Sequence, residues 1–354
     1  MLIFVLRRLL WAVMLVFVIT LIVFVMFFLL PADSSNAQRN EQGFAPTLQT
    51  QFHFRGSFGE QYGQFVRRVF LHGDLGNSLR SDDAVTDVIW RTLPVTLSLL
   101  IGGMVIWLMI AIPVGVLSAL YPRSLLDRGL MLFVLAGASA HSVFLGLGFS
   151  YVFGVRLGWF PVGGYCDLHY QPSAGSLCGG PRYWAYHMAL PWLTFAFLFA
   201  ALYARMIRAS LLESMEEDYV RTARAKGASS FRVMRVHVFR NALLPIVSMI
   251  GMDIGVAFGG ALFIETIFEL PGMGFQLVHS LANSDLPMIM GIVIVVSFAV
   301  VLANLVVDLL YLVIDPRIRR TGKGDAVVVS RAVGRELRAA KKATPAAAES
   351  ATSS

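Results

Sequence analysis

The stretch LLWAVMLVFVITLIVFVMFFLL, Leu9 to Leu30, runs for 22 residues without a charge, entered through Arg7 and Arg8 and closed by Pro31. A hydrocarbon core about 30 Å thick needs about 20 apolar residues in helix, so this run is long enough to cross it. The apolar part of a signal peptide is shorter; although Ser35-Asn36-Ala37 has the form of a weak cleavage triplet, the run reads as a retained anchor. Five further stretches qualify: Leu93–Leu120, Leu130–Phe153, about Met188–Tyr203, Leu243–Phe268 and Met288–Ile314. The expected fold is an all-α polytopic membrane protein with six transmembrane helices.

Composition agrees with that reading. The chain has 354 residues, 56% of them apolar and 14% charged, where a soluble domain carries roughly a quarter charged. A mean hydropathy of +0.68 excludes a soluble protein with one anchor, because a single span could not raise the average so far. Disorder and collagen are excluded by the abundance of Leu, Val, Ile and Phe and by aperiodic Gly and Pro. Two cysteines cannot build a disulfide-rich scaffold or a four-thiolate metal site, and no metal site is expected.

The net charge of +7 is a topology signal. Positively charged loops stay in the cytoplasm. With the N-terminus inside, the inner segments hold two basic residues (Arg7, Arg8), two (Arg123, Arg128), eight between Arg205 and Arg240, and nine after Ile314. That is 21 of the 29 Lys and Arg, which leaves 8 on the outer segments. Both termini are therefore expected in the cytoplasm, N-in and C-in, and no nucleic-acid partner is implied. The chain divides into an N-terminal transmembrane helix (1–31), an extracytoplasmic loop with an amphipathic helix (32–92), a five-helix core (93–314) with a cytoplasmic loop at 209–242, and a cytoplasmic, mostly disordered tail (315–354).

In the first outer loop, Tyr62, Phe65, Val66, Val69 and Phe70 recur at helical spacing, which predicts an amphipathic helix on the outer surface. Gly73-Asp74-Leu75-Gly76 reads as a turn, and Ser81-Asp82-Asp83 as the cap of a helix leading to the second span. Cys166 and Cys178 lie in the second outer loop among Gly, Pro and Ser. Outside the membrane this favours a disulfide over free thiols, worth about 3 kcal/mol by loop closure; a metal pair with His169 is the weaker alternative, since only three ligands lie close together.

The inner loop contains Ser214-Met215-Glu216-Glu217-Asp218-Tyr219-Val220-Arg221-Thr222-Ala223-Arg224-Ala225-Lys226-Gly227. It reads as a short punctuated helix, with Ser214 and Glu217 at capping-box spacing and acids at its start. Arg224 and Lys226 lie at its end, Gly227 supplies a left-handed terminator, and Glu217 and Arg221 are paired at i, i+4. Thr222, Ala223 and Ala225 leave one side thin, so another protein could approach closely. From the residues alone, a docking helix and a solvated linker stand equally. Ser229 or Ser230 starts a second helix that passes through Asn241-Ala242-Leu243-Leu244-Pro245 into the fifth span, with a kink expected at Pro245.

Asp218 to Gly227, followed by Arg240-Asn241-Ala242-Leu243-Leu244-Pro245, resembles the cytoplasmic loop of the inner-membrane permease subunits of binding-protein-dependent ABC importers, and most closely the B-type subunit of the dipeptide and oligopeptide branch. Gly73-Asp74-Leu75-Gly76-Asn77-Ser78, Leu157-Gly158-Trp159-Phe160-Pro161-Val162, Glu265-Thr266-Ile267-Phe268-Glu269-Leu270-Pro271-Gly272-Met273-Gly274 and Asp315-Pro316-Arg317 are similar to that family's motifs in the same order. The resemblance covers about Met1 to Arg320. The family's loop is named for Glu-Ala-Ala with a Gly four residues on. Counted back from Gly227, the triplet here is Arg221-Thr222-Ala223, a form common in the peptide branch.

The resemblance implies a type I ABC importer permease fold in a prokaryotic inner membrane, moving di- or oligopeptides or related solutes inward. It implies that Glu217, Asp218, Tyr219, Arg221, Thr222, Ala223, Arg224, Ala225, Lys226 and Gly227 form the helix seated in a cleft of an ATPase. The implied partners are a second homologous permease subunit in a heterodimer, two ATPase subunits, an extracytoplasmic substrate-binding protein and membrane lipid. This chain would bind no cofactor, since Gly322-Lys323-Gly324 lacks the rest of a phosphate-binding loop; ATP and Mg would be held by the ATPases.

Asp253 lies within the fifth span, where an unpaired charge costs about 2.5 to 3.5 kcal/mol. It either lines a pathway or makes an interhelical hydrogen bond. Gly251, Gly255 and Gly259, at i, i+4 beside it, predict a groove for close helix packing. Asp308, nearer the inner surface, is expected to snorkel or cap. The rival function is a stand-alone ion- or proton-coupled carrier or channel using Asp253 or Asp308, against which the absence of a second homologous half counts.

Overall fold

The structure, a computed structural model, describes residues 2–29, 57–139, 141–168 and 178–314. The Ser35–Ala37 triplet, His169, Asp315-Pro316-Arg317 and the tail lie outside the described residues. Among those described, the chain is helical. Helix α1 (Leu2–Phe24) continues into a π-helical turn, Val25–Leu29; α2 is Phe58–His72, α3 Val85–Leu120 and α4 Leu125–Ser139. Helix α5 (Ser142–Phe149) continues as a π-helix through Arg156, followed by α6 (Gly180–Glu216) and α7 (Asp218–Ala225). A turn at Ser230–Arg232 and a π-helical segment at Val233–Val238 lead into α8 (Phe239–Ile267), then α9 (Met273–Ala282) and α10 (Leu286–Ile314).

Among the described residues, five helices are long and apolar enough to cross a membrane, the spans being Val5–Phe27, Val85–Leu120, Gly180–Glu216, Pro245–Ile267 and Leu286–Leu309. The third apolar stretch, expected as one rod, is divided instead. His141 is extended (φ −67°, ψ 147°) and its ring accepts from the Val143 N–H, restarting the helix as α5. That side-chain bond offers the backbone an alternative to a continuous ladder. The fourth helix extends well beyond both expected ends.

In lipid, apolar burial does not drive helices together, so association rests on close packing. The most extensive pairing is α3 on α6. A Cβ at Gly102 would strike Trp192 and one at Gly103 would strike Phe195, while at Gly115 it would lie 2.7 Å from Ile207 and 2.9 Å from the Ala204 carbonyl. Between those contacts Trp107 is buried, stacked on Phe199 at 4.7 Å and beside Tyr203 at 5.4 Å. Ala257, Ala261 and Ile264 of α8 close this core.

A second core joins α1, α2, the start of α3, and α10 through Phe24, Phe65, Val69, Val85, Ile89 and Met288. Here the expected amphipathic helix is α2. It packs on α1, with Phe65 and Val69 buried and Tyr62 hydrogen-bonded to Thr20 at 2.9 Å, while Phe70 stays exposed. The expected Ser81–Asp83 cap is corrected: Ala84 occupies the cap position of α3, with no side-chain bond to the helix. The turn is closed instead by backbone bonds from Val85 N to the Gly76 carbonyl and from Ser78 N to the Asp83 carbonyl, which leave those side chains no capping role.

Gly115→Val should lower the thermal midpoint of the detergent-purified protein, by the equivalent of about 1 to 3 kcal/mol of overpacking against a backbone atom that cannot yield. Gly129→Ala, where added bulk meets open space, should leave the midpoint unchanged or raise it.

Candidate functional site between α6 and α8

Helix α6 ends at Glu216, and Glu217 is extended (φ −65°, ψ 147°), turning the chain into α7. The Ser214–Glu217 capping box is therefore corrected. Ser214 lies inside α6, whose ladder it continues, and Glu217 is itself the cap residue, making no side-chain bond. The Glu217–Arg221 pair is corrected too: Arg221 approaches Asp218 at 3.7 Å, because Glu217 precedes the helix. With side chains 73% and 96% exposed, that contact is worth little.

Val220 is fully buried and anchors α7 in a cluster with Leu211, Val233 and Val238, packed by Met215 and Met234. The rest of the segment faces out. Glu217, Asp218, Tyr219, Arg221, Thr222, Arg224, Ala225, Lys226 and Gly227 are exposed, and Ala223 is half-buried. Gly227 has φ +78°, and its N–H bonds to the Arg224 carbonyl while Ala228 N–H reaches Ala223 across the helix end. This is a Schellman stop, whose left-handed residue favours glycine. The geometry presents a thin helix anchored by Val220 and Ala223, following α6 after the turn at Glu217 and joined to α8 on the other side.

The arm carrying it is fixed by a device the sequence reading passed over. Asp127, at the start of α4, accepts a two-pronged bond from Arg208 of α6, Nε and Nη2 each at 2.9 Å. It also accepts from the Ser118 hydroxyl at the end of α3 and from the Arg123 N–H at 2.9 Å. Only 6% of the Asp127 side chain is exposed. The Arg208 bonds first, then that of Ser118, hold its carboxyl well below the ordinary carboxylate range. The local signal was Ser124-x-x-Asp127, a capping spacing that the structure uses through Asp127 N and Ser124 Oγ; nothing local named Arg208.

Asp253 accepts from the hydroxyl of buried Tyr203 at 2.9 Å, an interhelical bond from α8 to α6. The expected glycine groove is corrected in part. Gly251 packs against Val307 of α10, Gly255 only loosely meets Val300, and Gly259 meets nothing within 4 Å, because α10 diverges from that face. Cys166 and Cys178 are joined by a disulfide, with Cα atoms 5.2 Å apart.

The remaining motifs build the opposite end. Buried Glu265 accepts from Gly274 N–H (2.7 Å) and Phe275 N–H (3.1 Å), and Met273 N–H donates to Thr96, so the first turn of α9 is satisfied by α8 and α3. Gly272 is required because a Cβ there would strike the Glu265 carboxylate. Asp285 accepts from Ser78 Oγ and Leu79 N–H, clasping the 73–78 turn to the start of α10.

Several apolar helices long enough to cross a membrane, with an exposed short helix between two of them, define the class as a polytopic helical membrane protein. Residues 111–320 match the family described as binding-protein-dependent transport system inner membrane component, and residues 1–100 match the N-terminal family of the same membrane components. A putative peptide permease protein of Brucella suis biovar 1 is 37% identical over 322 residues, covering 89% of this chain and 98% of the relative. The probable D,D-dipeptide transport system permease protein of Escherichia coli is 36% identical (90% and 98% covered), and the di/tripeptide transport system permease protein of Pseudomonas aeruginosa is 35% identical (90% and 99% covered). The chain belongs to the binding-protein-dependent transport system inner membrane component family, the membrane permease subunits of ABC transporters. It is a non-catalytic inner-membrane subunit, the ATPase activity lying in partner subunits.

Arg208→Ala would leave the Asp127 charge buried and unpaired, which should cost about 3 kcal/mol, at the lower end for buried pairs because Arg208 is 27% exposed. A depressed carboxylate stabilises above its unfolded value, near pH 4, and loses that contribution as the pH falls. The thermal midpoint of the wild type should therefore fall below about pH 4, and Asp127→Asn should flatten that fall.

Proposed function

We propose that this chain is the permease subunit of an ATP-driven ABC importer for di- or oligopeptides or related small solutes, coupling ATP hydrolysis in partner subunits to inward translocation. The observation that carries it is α7: a largely exposed eight-residue helix held by buried Val220 and half-buried Ala223 and stopped by left-handed Gly227. Peptide as substrate is supported by the names of the three relatives. The α4–α5 pair supplies the third of six crossings, giving N-in, C-in topology in keeping with the charge bias.

In this reading Glu217 to Gly227 seat in a cleft of an ATPase subunit, two of which bind ATP and Mg. A second homologous permease completes the pathway, and an extracytoplasmic substrate-binding protein delivers the solute. Motion of α7 reaches α6 directly and α8 through the Val233–Val238 segment. The Asp127–Arg208 clamp makes the α6 arm move with the ends of α3 and α4 rather than bend alone. Asp253 serves as an interhelical anchor.

Gly227→Glu should insert normally yet lose transport. A left-handed conformation costs a residue with a side chain about 1 to 2 kcal/mol, enough for roughly a tenfold loss of the seated geometry before any clash with the ATPase. In proteoliposomes holding the assembled complex, dipeptide uptake should drop while ATP hydrolysis persists. Normal uptake would overturn the docking role, and uptake by the purified chain alone would favour a stand-alone carrier.

A further inference from the structure

Helices α1, α8 and α10 leave between them a groove of about 510 Å3. Its lining is graded with depth. At one end Arg8 and Asp308 form an ion pair of 2.9 Å, their side chains 46% and 29% exposed, with Ser248 beside them. Arg8 lies near the start of the Val5–Phe27 span, Ser248 near the start of Pro245–Ile267, and Asp308 beside the end of Leu286–Leu309. All three thus sit at one face of the bilayer. Leu15 and Val301 line the groove roughly 10 Å deeper, at 1.5 Å per helical residue. Met252, 70% exposed, forms the third wall.

A charged mouth at headgroup depth, with Asn304 one turn below it and apolar walls deeper still, is the profile of an amphiphile. We propose that this groove binds a single zwitterionic phospholipid with a primary ammonium headgroup: its phosphate on Arg8, its ammonium on Asp308, and an acyl chain along Leu15, Met252 and Val301. The volume falls within the range of built ligand sites. A ligand carrying both charges gives Arg8 and Asp308 each an opposite charge in exchange, so opening the pair leaves neither unpaired. A purely anionic headgroup would meet the Asp308 carboxylate. A quaternary ammonium would bring no N–H to donate to it. The proposal rests on the depth of the three spans and not on how transport is driven.

The test is native mass spectrometry of the complex, purified, delipidated and titrated with phosphatidylethanolamine, phosphatidylglycerol or phosphatidylcholine of equal chains. One phosphatidylethanolamine per copy of this chain should be retained, with a preference of roughly tenfold or more over the other two, the scale of one hydrogen bond between charged groups. Asp308→Asn should erase that preference. Met252→Trp, which fills the groove without touching the ion pair, should remove the retained lipid. Equal retention of the three lipids, retention of none, or retention undiminished in Met252→Trp would overturn the proposal. So would an oxidant-formed disulfide cross-link between Met252→Cys and a cysteine introduced into a second permease subunit, since that subunit would then cover the groove.

Discussion

Gly103 and Gly115 hold this molecule together by what they lack. Lipid is as apolar as the side chains it surrounds, so two membrane helices gain little by burying leucine against leucine; they gain by approaching until dispersion contacts and hydrogen bonds become dense. On α3 the missing side chains admit Phe195 and Ile207, and Trp107 fills the space between. That pairing makes α3 and α6 one unit, on which α4, α5 and α8 pack. The large apolar residues turned outward on α1, such as Leu10 and Val13, need no partner in such a solvent.

Polar groups then do at the two ends what apolar packing cannot, which is to choose one arrangement. At one end Asp127 gathers α3, α4 and α6 through Ser118, Arg123 and Arg208. At the other, Glu265 supplies the acceptor for the start of α9, and Asp285 ties the Gly73–Ser78 turn to α10. Each carboxylate meets more than one donor, and those of Asp127 come from separate parts of the chain. Such bonds are worth most where water is absent, because an unmet partner has no alternative. The family-like Gly73–Ser78 and Glu265–Gly274 motifs thus act as connectors of the fold.

Beyond the Asp127 end the loop from Glu217 to Gly227 is different in kind. It is bound to the rest by buried Val220 and half-buried Ala223, and its polar surface is unburied. A segment so lightly held, attached at both sides to helices that cross the core, transmits a push without dissolving the packing behind it. This contrast between a rigid bundle and a single protruding handle is what the proposed coupling requires.

Much of this was legible in the chain itself. Hydropathy is a local property with a length scale set by the bilayer, so the apolar runs and the bias of Lys and Arg could be read directly. Left-handed Gly227, the amphipathic face of α2 and the proximity of Cys166 to Cys178 were also local. The break at His141 was not legible, because Ala, Ser and Gly are apolar enough to continue a run while offering the backbone another choice. Nor were Arg208 beside Asp127, Tyr203 beside Asp253, or Glu265 at the start of α9. The first two pairings join residues far apart in sequence and the third crosses a turn between two helices, and a hydrogen bond has no periodic trace along the chain; it exists only once packed helices bring donor and acceptor within reach.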